Sequence, residues 1–352
     1  MNPAFVVRFR PQGPWRIGPD SGARDRVDRI FHSDALFSAV SQAMLRLGGF
    51  EEWLAATAGA TGTPAVRFSS LFPFLGDLQF VPPPRCLWPP QPSAKVRWRN
   101  ASFVPLGLVR DLVAEKQPND NRWFLDGESG CLLPSDPQYR TGPFHAALRS
   151  HAAVDRPSGN AIEVHRTACL EFTEGGGFWG LVSFADEDAA ARWREPVQAA
   201  LRLLADTGLG GERSLGWGRA AQPEFTEGVL PDLIVPEPPP APAPEPVAEG
   251  EPAPKPPETG YWLLSLFSPA ADDAVDWQRG CYTLAERAGR IESPVRSGEA
   301  KKTARMVEEG SVLFAAAAPR GAAPDVAPEG FPHPVFRYGV ALAVPIPVRG
   351  AA

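Results

Sequence analysis

The chain has 352 residues, 43% of them hydrophobic, enough to bury one large core or two ordinary ones. Its formal net charge of −6 excludes a protein that coats nucleic acid with its whole surface, although a local basic site stays open. No apolar run approaches the roughly 20 residues that span a bilayer, and "MNPAFVVRFR" lacks the apolar stretch of a signal peptide, so a cytoplasmic protein with no membrane contact is expected.

In chain order, residues 3–10 read as a strand from their β-branched and aromatic content. "SDALFSAVSQAMLRLGG" reads as a helix: Ser33 can cap it, Leu36, Phe37, Val40, Met44 and Leu47 share one face, and Gly48 can end it. Residues 65–75 are strand-like, and a long irregular region rich in proline and tryptophan follows. Then come a strand at 177–184, a helical segment containing "PVQAALRLLADTG" with Pro196 in its first turn, and a strand at 217–225. Setting the insertion aside, the order is β-α-β then β-α-β, the ferredoxin-like (RRM-like) plan.

"PEPPPAPAPEPVAEGEPAPKPPE", residues 236–258, holds too much proline to pack a core and predicts an extended linker within 231–260. It separates an N-terminal domain (1–230) from a smaller C-terminal one (261–352), in which "YWLLSLF", "CYTLAERAG", "GSVLFAAAA" and "VFRYGVALAVPI" suggest a second unit of similar type. The expected fold class is therefore α+β, two ferredoxin-like units, the first with a long insertion.

Cys86, Cys131, Cys169 and Cys281 are scattered, and no short Cys/His spacing points to zinc, so neither metal nor cofactor is expected. Two stretches are locally basic. Residues 92–110 hold Lys95, Arg97, Arg99 and Arg110 with Trp98 and Phe103 between them and no acid. Residues 287–305 hold Arg287, Arg290, Arg296, Lys301, Lys302 and Arg305 against Glu292 and Glu299. Cations interleaved with aromatics suit a single-stranded nucleic acid, and solvated surface is the plainer reading.

The most unusual stretch is "GLGGERSLGWGR", residues 208–219. A phosphate-binding P-loop needs a lysine and must lie between a strand and a helix, and a dinucleotide fingerprint must likewise open a helix. Here the order is helix, loop, strand, and lysine is lacking. What remains is a chain of backbone amides with Arg213 and Arg219, suited to a phosphate backbone or to a ligand-free turn.

This loop, together with "RIFHSDALFSAV" (29–40), "AVDRPSGNA" (153–161), "YTLAERAGRI", "KKTARMVEEGSVL" and "VFRYGVAL", resembles the RAMP proteins of CRISPR systems, in particular the Cas5-like fourth subunit of the type III-A Csm effector complex. The resemblance implies a CRISPR RNA-binding subunit of antiviral defence that caps the guide 5′ handle. Its implied partners are guide RNA, the large palm-domain signalling subunit, a RAMP backbone subunit and, indirectly, target RNA. By matching motif, Gly208, Gly210, Gly211, Arg213, Ser214, Gly216, Gly218 and Arg219 would hold guide backbone, and Val154, Asp155, Arg156 and Ser158 would lie at a protruding hairpin thumb. His32, Ser33, Lys301 and Lys302 complete the candidate RNA contacts. No catalysis is expected; the alternative is a metal-independent endoribonuclease that processes guide precursors with His32 as general base. The proline-rich linker is not part of the family pattern.

Overall fold

The computed structural model describes residues 1–19, 21–158, 161–236, 258–293 and 295–348, with 161–163 described by backbone alone. The expected linker therefore falls largely outside the described residues.

Strand β1 (Asn2–Phe9) is buried on both faces because its apolar residues do not alternate with polar ones: Phe5, Val7 and Phe9 enter one core, Ala4 and Val6 another. Helix α1 (Ser33–Leu47) follows, ended by Gly48 in the left-handed conformation, φ 83°, where glycine is the unstrained choice. Short helix α2 (Phe50–Ala56) leads to β2 (Val66–Phe68), β3 (Phe72–Leu75) and β4 (Leu78–Val81). The insertion is more regular than its composition implied. It contains β5 (Val104–Pro105), helix α3 (Leu106–Val113), a small hairpin of β6 (Trp123–Leu125) and β7 (Leu132–Pro134), and a long hairpin of β8 (Phe144–Val154) and β9 (Ala161–Phe172). Strand β10 (Gly176–Phe184), helix α4 (Glu187–Thr207) and strand β11 (Glu224–Leu230) complete the N-terminal half.

The main sheet runs β11-β1-β10-β3-β4-β5, with β2 also on β10. All of its pairings are antiparallel. Helices α1 and α4 cover one face, burying Leu36, Phe37, Val40, Val197 and Leu201 against Phe5 and Phe178. Leu47, expected on the buried face of α1, is exposed. Pro196 lies well inside α4 rather than in its first turn; the helix is capped at its start by Asp186, whose carboxylate accepts from the Ala189 amide at 2.8 Å. The single strand expected at 65–75 is split, because Ser69 and Ser70 turn their hydroxyls to bonds across the structure.

The C-terminal half is built differently from the expected second ferredoxin-like unit. It consists of β12 (Glu258–Leu263), β13 (Val275–Cys281), β14 (Leu284–Arg287), β15 (Ala304–Val307), β16 (Val312–Ala315), β17 (Gly321–Ala322), β18 (Gly339–Val340) and β19 (Ala343–Val348). Its largest sheet is β13-β16-β12-β19, and no helix occurs among its described residues. The reason lies in packing: Trp262, Leu264, Val344 and Ile346 bury against Ala4, Val6, Trp179 and Leu181 on the face of the main sheet opposite α1 and α4, beside Leu106 and Val109 of α3. That face supplies the cover that helices of its own would otherwise give.

Candidate nucleic-acid interface

The glycine-rich loop leaves α4 at Gly208, whose φ is 91°, and turns back along the start of the chain. Much of its glycine content is spent inside the molecule. A Cβ on Gly210 would stand 2.2 Å from the Arg16 carbonyl oxygen, and one on Gly218 would stand 2.0 Å from that of Leu209. On Gly208 it would meet the Trp217 carbonyl oxygen at 2.5 Å. Several loop amides are likewise engaged: Leu209 donates to Gly218 at 3.0 Å, Gly211 to Arg16 at 2.9 Å and Gly218 to Pro14 at 2.9 Å. Close approach of backbone to backbone therefore explains these glycines, in place of the expected bare cradle for a bound strand. Gly216, with φ 82°, differs: a Cβ there would face open space, although its amide donates to the Arg213 carbonyl at 2.9 Å. The loop also enters strand β11 only at Glu224, so the strand expected from 217 is a loop as far as Pro223.

Arg16, which the sequence did not single out, is the anchor beneath this loop. It is 7% exposed, and its guanidinium donates to the carbonyls of Ala168 at 2.8 Å, Ala23 at 3.0 Å and Arg24 at 3.1 Å. This one residue ties the loop, through its backbone carbonyl, to strand β9 and the segment around 23–26, through its guanidinium.

Above the loop opens a cleft of about 520 Å³ between the start of α1, the loop and the C-terminal half. It brings together His32, Gly208, Gly210, Gly211, Arg213 and Lys301 from among the expected contacts. Arg287, Arg290, Arg337 and Glu292 join them from the C-terminal half, and Phe31 offers an aromatic wall. Arg287 and Arg290 belong to the basic stretch noted in the sequence, whereas Arg337 sits in an apolar motif that gave no charge signal.

Electrostatics in the cleft follow from burial. Asp34 takes two cations at once: Arg287 at 3.0 Å and Arg337 at 2.6 Å. Burial alone would raise its pKa, but the two guanidinium groups hold it down at about 2. His32 Nδ1 lies 2.8 Å from Glu309 Oε1, and Ser70 donates to the same carboxylate. Burial opposes the His32 charge, yet Glu309 outweighs it and raises the His32 pKa. Lys301 is pushed down by burial and by Arg337. Arg213 reaches Glu292 at 3.4 Å and stays partly exposed.

Ser33 is not an RNA contact. It is fully buried, its amide donates to Ser70 Oγ at 2.8 Å, and its own Oγ accepts from the Leu266 amide at 3.0 Å. Nor does it cap α1, where His32 holds the cap position without a side-chain bond. It joins the two halves instead. Ser214, Arg219 and Lys302 are exposed but line no part of the cleft.

Val154, Asp155, Arg156 and Ser158 stand at the far end of the β8–β9 hairpin, whose outer residues are largely exposed. There Asp155 Oδ2 accepts from the Ser158 amide at 3.1 Å and from its hydroxyl at 2.5 Å, an Asx-type turn. Farther down the hairpin His151 faces His165 across the strands, rings 5.4 Å apart, and packs on Trp217 of the glycine loop at 5.6 Å. Hairpin and loop thus touch through an aromatic step. The residues of 92–110 follow another course: Trp98 and Phe103 are buried in the core, and Arg110 donates to the carbonyls of Leu233 and Ile234.

Among the described residues no group of three or more His, Cys, Asp and Glu side chains is placed to hold a metal ion, and no helix is long and apolar enough to cross a membrane.

Residues 257–346 match the model of the CRISPR Csm4 C-terminal domain. No curated protein sequence matches significantly. Among solved structures, a chain of the Csm3-Csm4 subcomplex in the type III-A CRISPR-Cas interference complex aligns with a TM-score of 0.60 at 15% identity, covering 98% of this chain and 100% of its own. A chain of the Csm1-Csm4 cassette in complex with pppApA gives 0.55 at 17%, covering 99% and 100%. The same cassette with cA4 gives 0.56 at 18%, over the same shares. Csm4 is the component these assemblies have in common and the one whose C-terminal domain model fits here, and the chain is accordingly Csm4-like in fold, with helices and antiparallel sheets in its N-terminal half and antiparallel sheets alone among the described residues of its C-terminal half.

Proposed function

We propose that the chain is the guide-RNA-binding subunit of a type III CRISPR effector complex, acting in the cytoplasm, which seats the 5′ handle of the guide and does not cut RNA. The observation that carries this reading is the cleft, where cations from both halves of the chain face a space wide enough for splayed nucleotides. Arg213, Arg290 and Lys301 would hold phosphates, and His32 would add charge when protonated. Val154, Asp155 and Arg156 would meet the guide beyond the handle, at the end of the hairpin. The assemblies of the similar chains support two protein partners, a large palm-domain subunit and a RAMP backbone subunit, which the chain would join to each other. Target RNA would be met through them.

The test is guide-RNA binding by Arg213→Glu with Lys301→Glu. The pair should weaken binding at least a hundredfold and make the dependence of log affinity on log salt shallower by about 1.4 for two lost phosphate contacts on a single strand. Arg219→Glu, outside the cleft, should have the smaller effect. Unchanged affinity in the double variant would sink the reading.

One observation favours the endoribonuclease alternative: His32 opens onto the cleft with Nδ1 fixed by Glu309, as a general base would be oriented. Against it, the Glu309 charge favours imidazolium, an anion contact more than a base. Specific metal-independent cleavage of repeat RNA, lost in His32→Ala, would establish the alternative.

A further inference from the structure

The face of the main sheet opposite α1 and α4 carries a second cavity, of about 210 Å³, where the two halves meet. Its polar floor is a cross-strand pair, Ser183 on β10 beside Arg67 on β2. Its walls are mainly apolar, from Met1, Leu230, Pro231 and Val344. Ser183 is 1% exposed and its Oγ has no hydrogen-bond partner; the Arg67 Nε is also buried without one.

Arg67 has no counter-ion among the described residues. Of its charged neighbours, Asp273 is committed to backbone, accepting from the amides of Ala270 at 2.8 Å, Arg320 at 2.8 Å and Gly321 at 2.9 Å. Arg320 is itself held by Asp272 at 2.5 Å and adds further positive charge. The Tyr338 hydroxyl donates to the Val66 carbonyl at 2.6 Å. Burial lowers the Arg67 pKa, the direction expected of a cation left without an anion. A guanidinium Nε and a hydroxyl buried without partners are costly, and their cost is recovered when an acceptor arrives.

We propose that this cavity binds a carboxylate carried on a short aliphatic stem. An ionised carboxylate only accepts hydrogen bonds, which matches the guanidinium fork and the Ser183 hydroxyl together. The apolar walls suit methylene groups, and the volume lies below the ~300 Å³ at which drug-sized ligands begin to fit. Such a group comes either from a free short-chain dicarboxylic acid or from a glutamate side chain of a protein segment.

Calorimetric titration of the full chain distinguishes them, with glutarate and a doubly capped glutamate as probes and neutral glutaramide as control. Saturable binding of a carboxylate probe, absent with glutaramide, is expected; tighter glutarate binding identifies the free acid as ligand, tighter capped-glutamate binding the protein side chain. Arg67→Gln should weaken binding by about tenfold or more, the scale of a charge-assisted pair. Ser183→Ala, which leaves the cation in place, should weaken it by a smaller factor. No saturable binding of either probe, or equal affinity in wild type and both variants, would overturn the proposal. Neither residue lines the RNA cleft, so the outcome is independent of guide binding.

Discussion

Two guanidinium groups, those of Arg287 and Arg337, share the Asp34 carboxylate in a place that water hardly reaches. Desolvation offsets much of the attraction within such a triad, but removing its anion is costly because two buried cations are left unpaired. Asp34→Asn should therefore lower stability at neutral pH by about 3–5 kcal/mol, measured by urea unfolding. The folded pKa lies below the ordinary value, so the stabilisation is fully present above the ordinary carboxylate range and fades as pH falls through about 2. The gap between wild type and variant should accordingly stay constant down to mildly acidic pH and close only below it; a gap that closed near neutrality would refute the assignment. His32 behaves oppositely: its raised pKa stabilises below the ordinary imidazole value and is lost as pH climbs through the elevated one. None of these pairings was legible in the sequence. Asp34 stood there only beside His32 and Ser33, and its partners lie 253 and 303 positions away.

At the scale of elements, helix α1 was readable because its signals are local: an apolar face at helical spacing and a glycine one residue past the end. The β8–β9 hairpin was not readable from its own residues. Both faces of its outer part meet solvent, so "FHAALRSHAAV" has none of the alternation that marks a half-buried strand, and only the family resemblance implied it. The glycine loop was found for its composition, but spacing cannot distinguish a glycine that makes room for RNA from one that makes room for Arg16. The structure separates the two by substitution. Gly210→Ala must push against the Arg16 carbonyl from a positive φ, and should cost on the order of 3 kcal/mol. Gly216→Ala meets open space and should cost about 1 kcal/mol, from φ alone. Melting curves of the two variants give the comparison, and equal losses would mean that the loop relaxes freely.

For the molecule as a whole, the change of composition after residue 236 marks a boundary in sequence, but composition says nothing of whether the pieces on either side cohere. Here they do: Trp262, Leu264, Val312, Leu342 and Ile346 lie in one apolar cluster with Val6, Trp179 and Leu181. Residues 258–352 produced alone should expose this surface and fail to fold, whereas co-expression with residues 1–236 should yield a complex that purifies as one species. A soluble, cooperatively melting C-terminal fragment would contradict this. One residue makes the union of the halves visible. Tyr338 comes from the C-terminal half, yet its ring stacks on Phe37 of α1 at 4.0 Å and 7°, and Phe37 stacks in turn on Trp53. The two halves thereby share a chromophore: the part of the near-ultraviolet dichroism that comes from the Tyr338–Phe37 stack should exist only while they are docked, which makes it an intrinsic optical gauge of the molecule's integrity.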